Sequence, residues 1–122
     1  MDNKHIIDRK SKSFALKIIK LCKSLNGDMV DSVLARQLIR SGTSIGANVK
    51  ERLNAQSRAD FIYKLQVALK EADESAYWLE LLHESTIISD EVFSPIYSEL
   101  KEIVAIITAS LNKLKNTSDS AL

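Results

Sequence analysis

The sequence predicts an all-α protein that folds as an antiparallel, up-down-up-down four-helix bundle. Its 122 residues include only one proline and three glycines, so few positions would interrupt a helix. Apolar residues recur at spacings of three, four and seven along four segments, which is the periodicity of helices that pack side by side. The breaks between these segments are short, and short connections favour antiparallel neighbours.

Helix one is predicted over residues 3–25. A seven-residue repeat of apolar side chains, formed by Ile7, Phe14 and Leu21, marks the face that packs into the core. Gly27 follows as a C-terminal stop, because glycine adopts the left-handed cap conformation without steric cost from a Cβ atom.

Helix two is predicted over residues 32–55. Gly42 and Gly46 are four residues apart and therefore share one helix face. A glycine in a helix interior costs about 1 kcal/mol relative to alanine, so we expect another backbone to approach closely there. Asn48 lies at another edge of the apolar stripe and is expected to make a polar contact that fixes the packing register. The N-cap is one of two residues, Asp31 or Ser32.

Helices three and four are predicted over residues 57–83 and 95–115. Helix three begins with a capping box at Ser57, in which aspartate replaces the usual glutamate. Helix four is capped by Ser89 or Ser94, and the second is favoured because a proline follows it at the first helical position. Residues 116–122 are polar and lack periodicity, so we expect a bundle over 1–115 and a disordered C-terminal tail.

The apolar positions exceed what one bundle needs. Helix four is apolar over more of its circumference than a single core-facing stripe requires, and two further apolar residues lie off the stripes of helices one and three. This surplus predicts a homo-oligomer. The residues expected at the subunit contact are Leu16, Trp78, Ile96, Ile103 and Ile106.

Composition favours a cytoplasmic protein. The single Cys22 cannot form an internal disulfide and fits a reducing compartment. The N-terminus lacks the apolar core of a signal peptide, and the longest apolar run, residues 103–107, is too short to span a membrane.

The charge is unevenly distributed along the chain. The formal net charge is +1, but residues 1–26 contain seven cations and two anions, so the first helix is basic and the remainder is acidic. Clustered cations attract phosphate backbones, which predicts an interface for RNA or a nucleoprotein. The alternative is a solvated face, or a contact with an acidic protein partner in an interaction scaffold. The residues expected to bind nucleic acid are Arg9, Lys10, Lys12, Lys17, Lys20 and Lys23.

No catalytic or cofactor site is predicted. Glu80 and His83 match the Glu-x-x-His pair of di-iron bundles, but such a site needs a second pair, and the only other histidine, His5, has no glutamate three residues before it. Neither histidine has an orienting acid that the sequence identifies. The segment from Gly42 to Gly46 lacks the spacing and the lysine of a phosphate-binding loop. We therefore expect no enzyme activity, no metal or cofactor and no small-molecule substrate.

Two strings resemble the bacterial 23S rRNA intervening-sequence protein family. The first is Arg-Gln-Leu-Ile-Arg-Ser-Gly-Thr-Ser-Ile-Gly-Ala-Asn-Val at residues 36–49, followed by Glu51. The second combines Gln-Ser-Arg-Ala-Asp-Phe at 56–61 with Ala-Leu-Lys-Glu-Ala at 68–72 and Tyr-Trp-Leu at 77–79. The family pattern usually has a small residue where this chain has Arg52.

The resemblance implies a plain four-helix bundle that assembles into a homopentameric ring. One relative in that family, the accessory variability protein of diversity-generating retroelements, uses a basic ring to engage nucleic acid and a reverse transcriptase. The resemblance thus adds five-fold assembly and a nucleic-acid role to the expectations, while most members have no established activity.

Overall fold

Each of the four helices packs against the helix that precedes or follows it in the chain, and α1 also packs against α4. The structure, a computed structural model, describes residues 5–25 and 27–121, with side chains described through residue 116. The helices are α1 (Ile6–Ser24), α2 (Met29–Glu51), α3 (Arg58–Glu84) and α4 (Asp90–Ala121), with a short 3-10 helix (Arg52–Asn54) after α2. No strand occurs over these described ranges. The predicted all-α four-helix bundle is confirmed.

The core is built from the seven-residue repeats of all four helices. The repeat in α1 is buried, with Phe14 fully enclosed, and α2 contributes Leu38, Ile45 and Val49. The core stripes of α3 and α4 complete the cluster with Leu65, Ala68, Ala72, Leu79, Leu82, Leu100, Ile103 and Ile107. These fully buried side chains leave α1 with one face in the core and the opposite face in solvent.

The N-cap of α3 follows the prediction, whereas that of α2 does not. The Ser57 hydroxyl accepts a hydrogen bond from the Asp60 backbone N–H at 3.0 Å. In α2 the cap is Asp28, whose carboxylate accepts from the Asp31 N–H at 3.0 Å, so the prediction of Asp31 or Ser32 was wrong. Asp28 offers the same capping chemistry and begins the helix three residues earlier.

Helix α4 begins five residues before the predicted start. The Ser89 hydroxyl accepts from the Val92 N–H at 3.3 Å, which makes Ser89 the cap rather than Ser94. Pro95 lies inside the helix, in its second turn. There the missing proline N–H leaves only the carbonyl of Glu91 without its helical donor, and Glu91 is exposed to water.

The C-terminal end of α4 also differs from the predicted end. The described backbone is helical through Ala121, beyond the expected end at residue 115. The division into a bundle over 1–115 and a disordered tail over 116–122 stays a prediction, and part of it lies outside the described residues. None of the helices, over the residues described, carries an apolar stretch that could cross a bilayer.

Both helical glycines face α1. A Cβ atom on Gly42 would lie 3.1 Å from Cγ2 of Ile18, and one on Gly46 would lie 3.4 Å from the carbonyl oxygen of Ser11. Asn48 Nδ2 donates to the Ser44 carbonyl, and this hydrogen bond lies within α2. A buried hydrogen bond does link two helices: the Ser75 hydroxyl of α3 donates to the Ser41 hydroxyl of α2 at 2.9 Å, and both serines are fully buried.

One predicted subunit-contact residue is in the core. Ile103 is fully buried, because it lies three residues after Leu100 and four before Ile107 on the core stripe of α4. It cannot reach a second copy, so that assignment was wrong. The other four differ in exposure: Leu16 is 59% exposed, whereas Trp78, Ile96 and Ile106 are half-buried against the core.

Candidate nucleic-acid interface

The outer face of α1 carries four of the six predicted cations. Arg9, Lys12, Lys20 and Lys23 are all exposed, and none of them forms an ion pair with another described residue. They extend over fourteen residue steps, or about 21 Å along the helix axis. We call these four residues the basic face.

The two remaining cations belong to the seam between α1 and α4. Lys10 Nζ lies 2.6 Å from Glu102 Oε2, and Lys17 Nζ lies 2.6 Å from Glu99 Oε2. The hydrogen bond from Lys10 lowers the pKa of Glu102 below its ordinary value. Lys10 and Lys17 therefore already have carboxylate partners, so a phosphate would have to displace Glu102 or Glu99 to bind these lysines.

An apolar residue divides the basic face into two halves. Leu16 lies between Arg9 and Lys12 on one side and Lys20 and Lys23 on the other, and it lines a shallow depression together with three of these cations. No aromatic side chain lines that depression. Contacts there would therefore be made to backbone phosphates and sugars rather than by stacking on bases.

A buried ion pair neutralises the only carboxylate of α1. Arg52 is 7% exposed, and its Nη1 and Nη2 donate to the two oxygens of Asp8 at 2.9 and 3.1 Å. Nη1 also donates to the Val49 carbonyl at 2.5 Å, and the guanidinium lies 5.8 Å from the centre of the Phe61 ring. Asp8 precedes Arg9 in the chain, so this pairing removes the one negative charge that α1 would place beside the basic face.

This ion pair was not predicted from the sequence, although a signal for it was present. Arg52 lies seven residues after Ile45 and three after Val49, so it continues the buried stripe of α2. A charged residue at a core position requires a partner of opposite charge. The departure from the family pattern at this position is thus accommodated by Asp8.

A groove between α1 and α2 adjoins the basic face. It is lined by small residues, by His5 and Leu53, by Lys12 from α1 and by Lys50 from α2, and both lysines are exposed. Gly46 and Ala47 help to line the groove from α2 and Ala15 from α1. The predicted basic surface was confined to helix one and therefore did not include Lys50.

The Glu80 and His83 side chains both contact residues of α4. The Glu80 carboxylate accepts a 2.6 Å hydrogen bond from the Tyr97 hydroxyl, which raises the pKa of that tyrosine. His83 pairs through Nε2 with Asp90, an acid that the sequence did not identify, and its ring stacks on Phe93 at 4.1 Å. Among the residues described, no three His, Cys, Asp or Glu side chains converge as metal ligands would.

The cysteine is also poorly suited to nucleophilic chemistry. Cys22 Sγ lies 3.4 Å from the Ala35 carbonyl oxygen, and burial raises the pKa of its thiol to about 11. The thiol is therefore protonated near neutral pH, and a thiol is a far weaker nucleophile than a thiolate.

Comparison with known proteins agrees with the fold and with the motif strings. The family model of the 23S rRNA-intervening sequence protein matches residues 3–109. The chain is also similar to the crystal structure of a protein with unknown function from the S23 ribosomal protein family of Bacteroides thetaiotaomicron. The two are 44% identical with a TM-score of 0.83, and the match covers 87% of this chain and 98% of that one. No curated protein matches the sequence. Since the family model spans most of its length, the chain belongs to the 23S rRNA-intervening sequence protein family.

Proposed function

We propose that this protein is a non-catalytic, homo-oligomeric nucleic-acid-binding protein whose basic face contacts the sugar-phosphate backbone of RNA or of a nucleoprotein. The observation that carries the proposal is the basic face itself, where four exposed cations lie along one side of α1 without an ion-pair partner among the described residues. The only carboxylate of α1 is neutralised by Arg52.

Binding of this kind is driven by the release of counterions. Each phosphate that a lysine or arginine neutralises frees condensed cations from the nucleic acid, so affinity falls as salt rises. Four contacts per chain correspond to a slope of log K against log salt of about −3 for a single strand and about −4 for a duplex. Because no aromatic side chain lines the depression on this face, we expect little dependence on base sequence.

Oligomer formation would strengthen this binding. A group of exposed apolar residues lies at the start of α2 and consists of Met29, Val30 and Val33. Exposed apolar surface of this kind supports self-association, and the family resemblance supports a pentamer. A ring would repeat the basic face once per subunit and raise the avidity without any new contact.

A scaffold for protein partners is the second candidate. The same group, Met29, Val30 and Val33, favours it, because an apolar patch on a helix can dock an acidic or apolar partner without any nucleic acid. In that case the basic face would be solvated, and it would contribute only to solubility.

The salt dependence of RNA binding separates these two candidates. Purified protein would be titrated into a short fluorescent RNA of mixed sequence, and anisotropy would be recorded at salt concentrations between about 0.05 and 0.4 M. We expect a linear decrease of log K with log salt, with a slope of at least 3 in magnitude, and similar curves for RNAs of unrelated sequence. Absence of binding at the lowest salt would reject the proposed function and leave the scaffold. Native mass measured on the same preparation tests the oligomer, because a mass of one chain would contradict it.

A further inference from the structure

We infer that the binding surface crosses from α1 onto α2 through the groove between them, and that Lys50 contacts the phosphodiester backbone together with Lys12. This inference rests on the proposed function and extends it to a second helix. Both lysines line the groove, so a backbone lying in it would meet a cation from each helix.

The charge of the groove favours a polyanion. Asp8 is the one carboxylate that lines it, and both oxygens of Asp8 accept hydrogen bonds from Arg52. Lys12 and Lys50 are exposed, and neither forms an ion pair with another described residue. Lys64 and Glu51 pair with each other nearby, so the neighbouring Glu51 carboxylate is also partly neutralised.

The size of the groove depends on small residues at the helix contact. Gly46 and Ala47 on α2 and Ala15 on α1 line it with small side chains, and among the residues described Leu53 is the one large apolar residue that lines it. Antiparallel helices pack with axes about 8–10 Å apart, so cations on adjacent helices can flank one nucleic-acid strand. Gly46 of the family motif string therefore adds no side chain to the lining of the groove.

Arg52 is a positioning residue in this arrangement. If its guanidinium were removed, Asp8 would regain a free negative charge in the groove, one residue from Arg9 and four from Lys12. Arg52→Met is therefore expected to weaken RNA binding even though Arg52 itself is too buried to touch the ligand. Replacing both members, as Asp8→Asn with Arg52→Met, removes the unpaired charge and should restore binding towards the parent value.

The direct test compares single neutralising variants at equal salt. Lys50→Gln and Lys12→Gln would be measured beside a control, Lys70→Gln, because Lys70 is an exposed lysine on α3, which does not adjoin α1. Each variant would be titrated against the same RNA as a single strand and as a duplex, with helicity checked by circular dichroism.

We expect Lys50→Gln and Lys12→Gln each to reduce the magnitude of the salt slope by about 0.7 for the single strand or about 0.9 for the duplex. If parent and variant have equal affinity at about 1 M salt, these changes in slope correspond to a loss of affinity of about five- to eight-fold at 0.1 M salt. Lys70→Gln should change neither value.

The outcomes separate the inference from the function on which it rests. If Lys50→Gln behaves like the Lys70 control while Lys12→Gln loses affinity, the groove is not part of the surface and the inference is wrong, although the basic face stands. If the parent protein binds neither form of RNA, the proposed function fails and the inference fails with it. A slope change with only one of the two RNAs would support the groove and identify the form of nucleic acid that enters it.

Discussion

The ion pair between Asp8 and Arg52 predicts an asymmetric loss of stability. Removing the carboxylate with Asp8→Ala leaves a guanidinium that is 7% exposed with only the Val49 carbonyl as acceptor. Removing the guanidinium with Arg52→Met leaves a carboxylate whose side chain is 24% exposed and can take water in its place. Breaking a buried pair by removing one partner costs about 3–5 kcal/mol, and that range applies to the more buried charge.

We therefore expect Asp8→Ala to lower the free energy of unfolding by about 3 kcal/mol and Arg52→Met by about 1–2 kcal/mol. The double variant should lose less than the two single losses combined, since it leaves no unpaired charge. Urea denaturation followed by circular dichroism measures all three, at one fixed protein concentration because self-association would make stability depend on concentration. Additive losses, or a larger loss for Arg52→Met, would refute the view that the buried guanidinium is the costlier charge to leave unpaired.

Three further predictions concern packing and reactivity. Gly42→Ala should lower the melting temperature, because its Cβ would lie 3.1 Å from Ile18, whereas Gly46→Ala should leave it unchanged or raise it slightly. Ile103→Ala should cost about 2–5 kcal/mol in urea denaturation without changing the native mass, as expected of a core residue rather than a subunit contact. Cys22 should react with a disulfide reagent near pH 8 more slowly in the folded than in the unfolded protein, because burial raises its pKa from 9.0 to about 11. The thiolate fraction falls about 100-fold, but the more basic thiolate is about 10-fold more nucleophilic, so we expect a net decrease in rate of about 10-fold. Equal rates in both states would contradict that burial.

Much of the fold follows from the spacing of apolar residues. The core stripes of all four helices could be predicted because burial on one face of a helix imposes a seven-residue repeat, as Phe14 and Leu21 illustrate. Helix ends were less predictable, since Asp28 and Ser89 offer the same capping chemistry as the residues chosen. The placement of Ile103 was wrong because a broad apolar arc does not by itself show which of its residues faces the core.

The candidate site was predictable only in part, because its charges depend on contacts between helices. Spacing within α1 separates Lys10 and Lys17 from the basic face, but only the position of α4 shows that both are paired with carboxylates. The contribution of Lys50 and the neutralisation of Asp8 by Arg52 likewise depend on how α2 packs against α1. The spacing of residues along one chain gives no information on such pairs, except that Arg52 falls at a buried position of the α2 stripe.

The central claim is that the basic face binds nucleic acid. Its most direct test is the RNA affinity of the triple variant Lys12→Glu, Lys20→Glu and Lys23→Glu. The control carries the same change in net charge at three exposed lysines on α3 and α4, Lys70→Glu, Lys101→Glu and Lys115→Glu. We expect the first variant to lose RNA binding while keeping its helicity and native mass, and we expect the control to lose much less. If the folded triple variant binds RNA as well as the parent, or no worse than the control, the basic face is only a solvated surface and the account is contradicted.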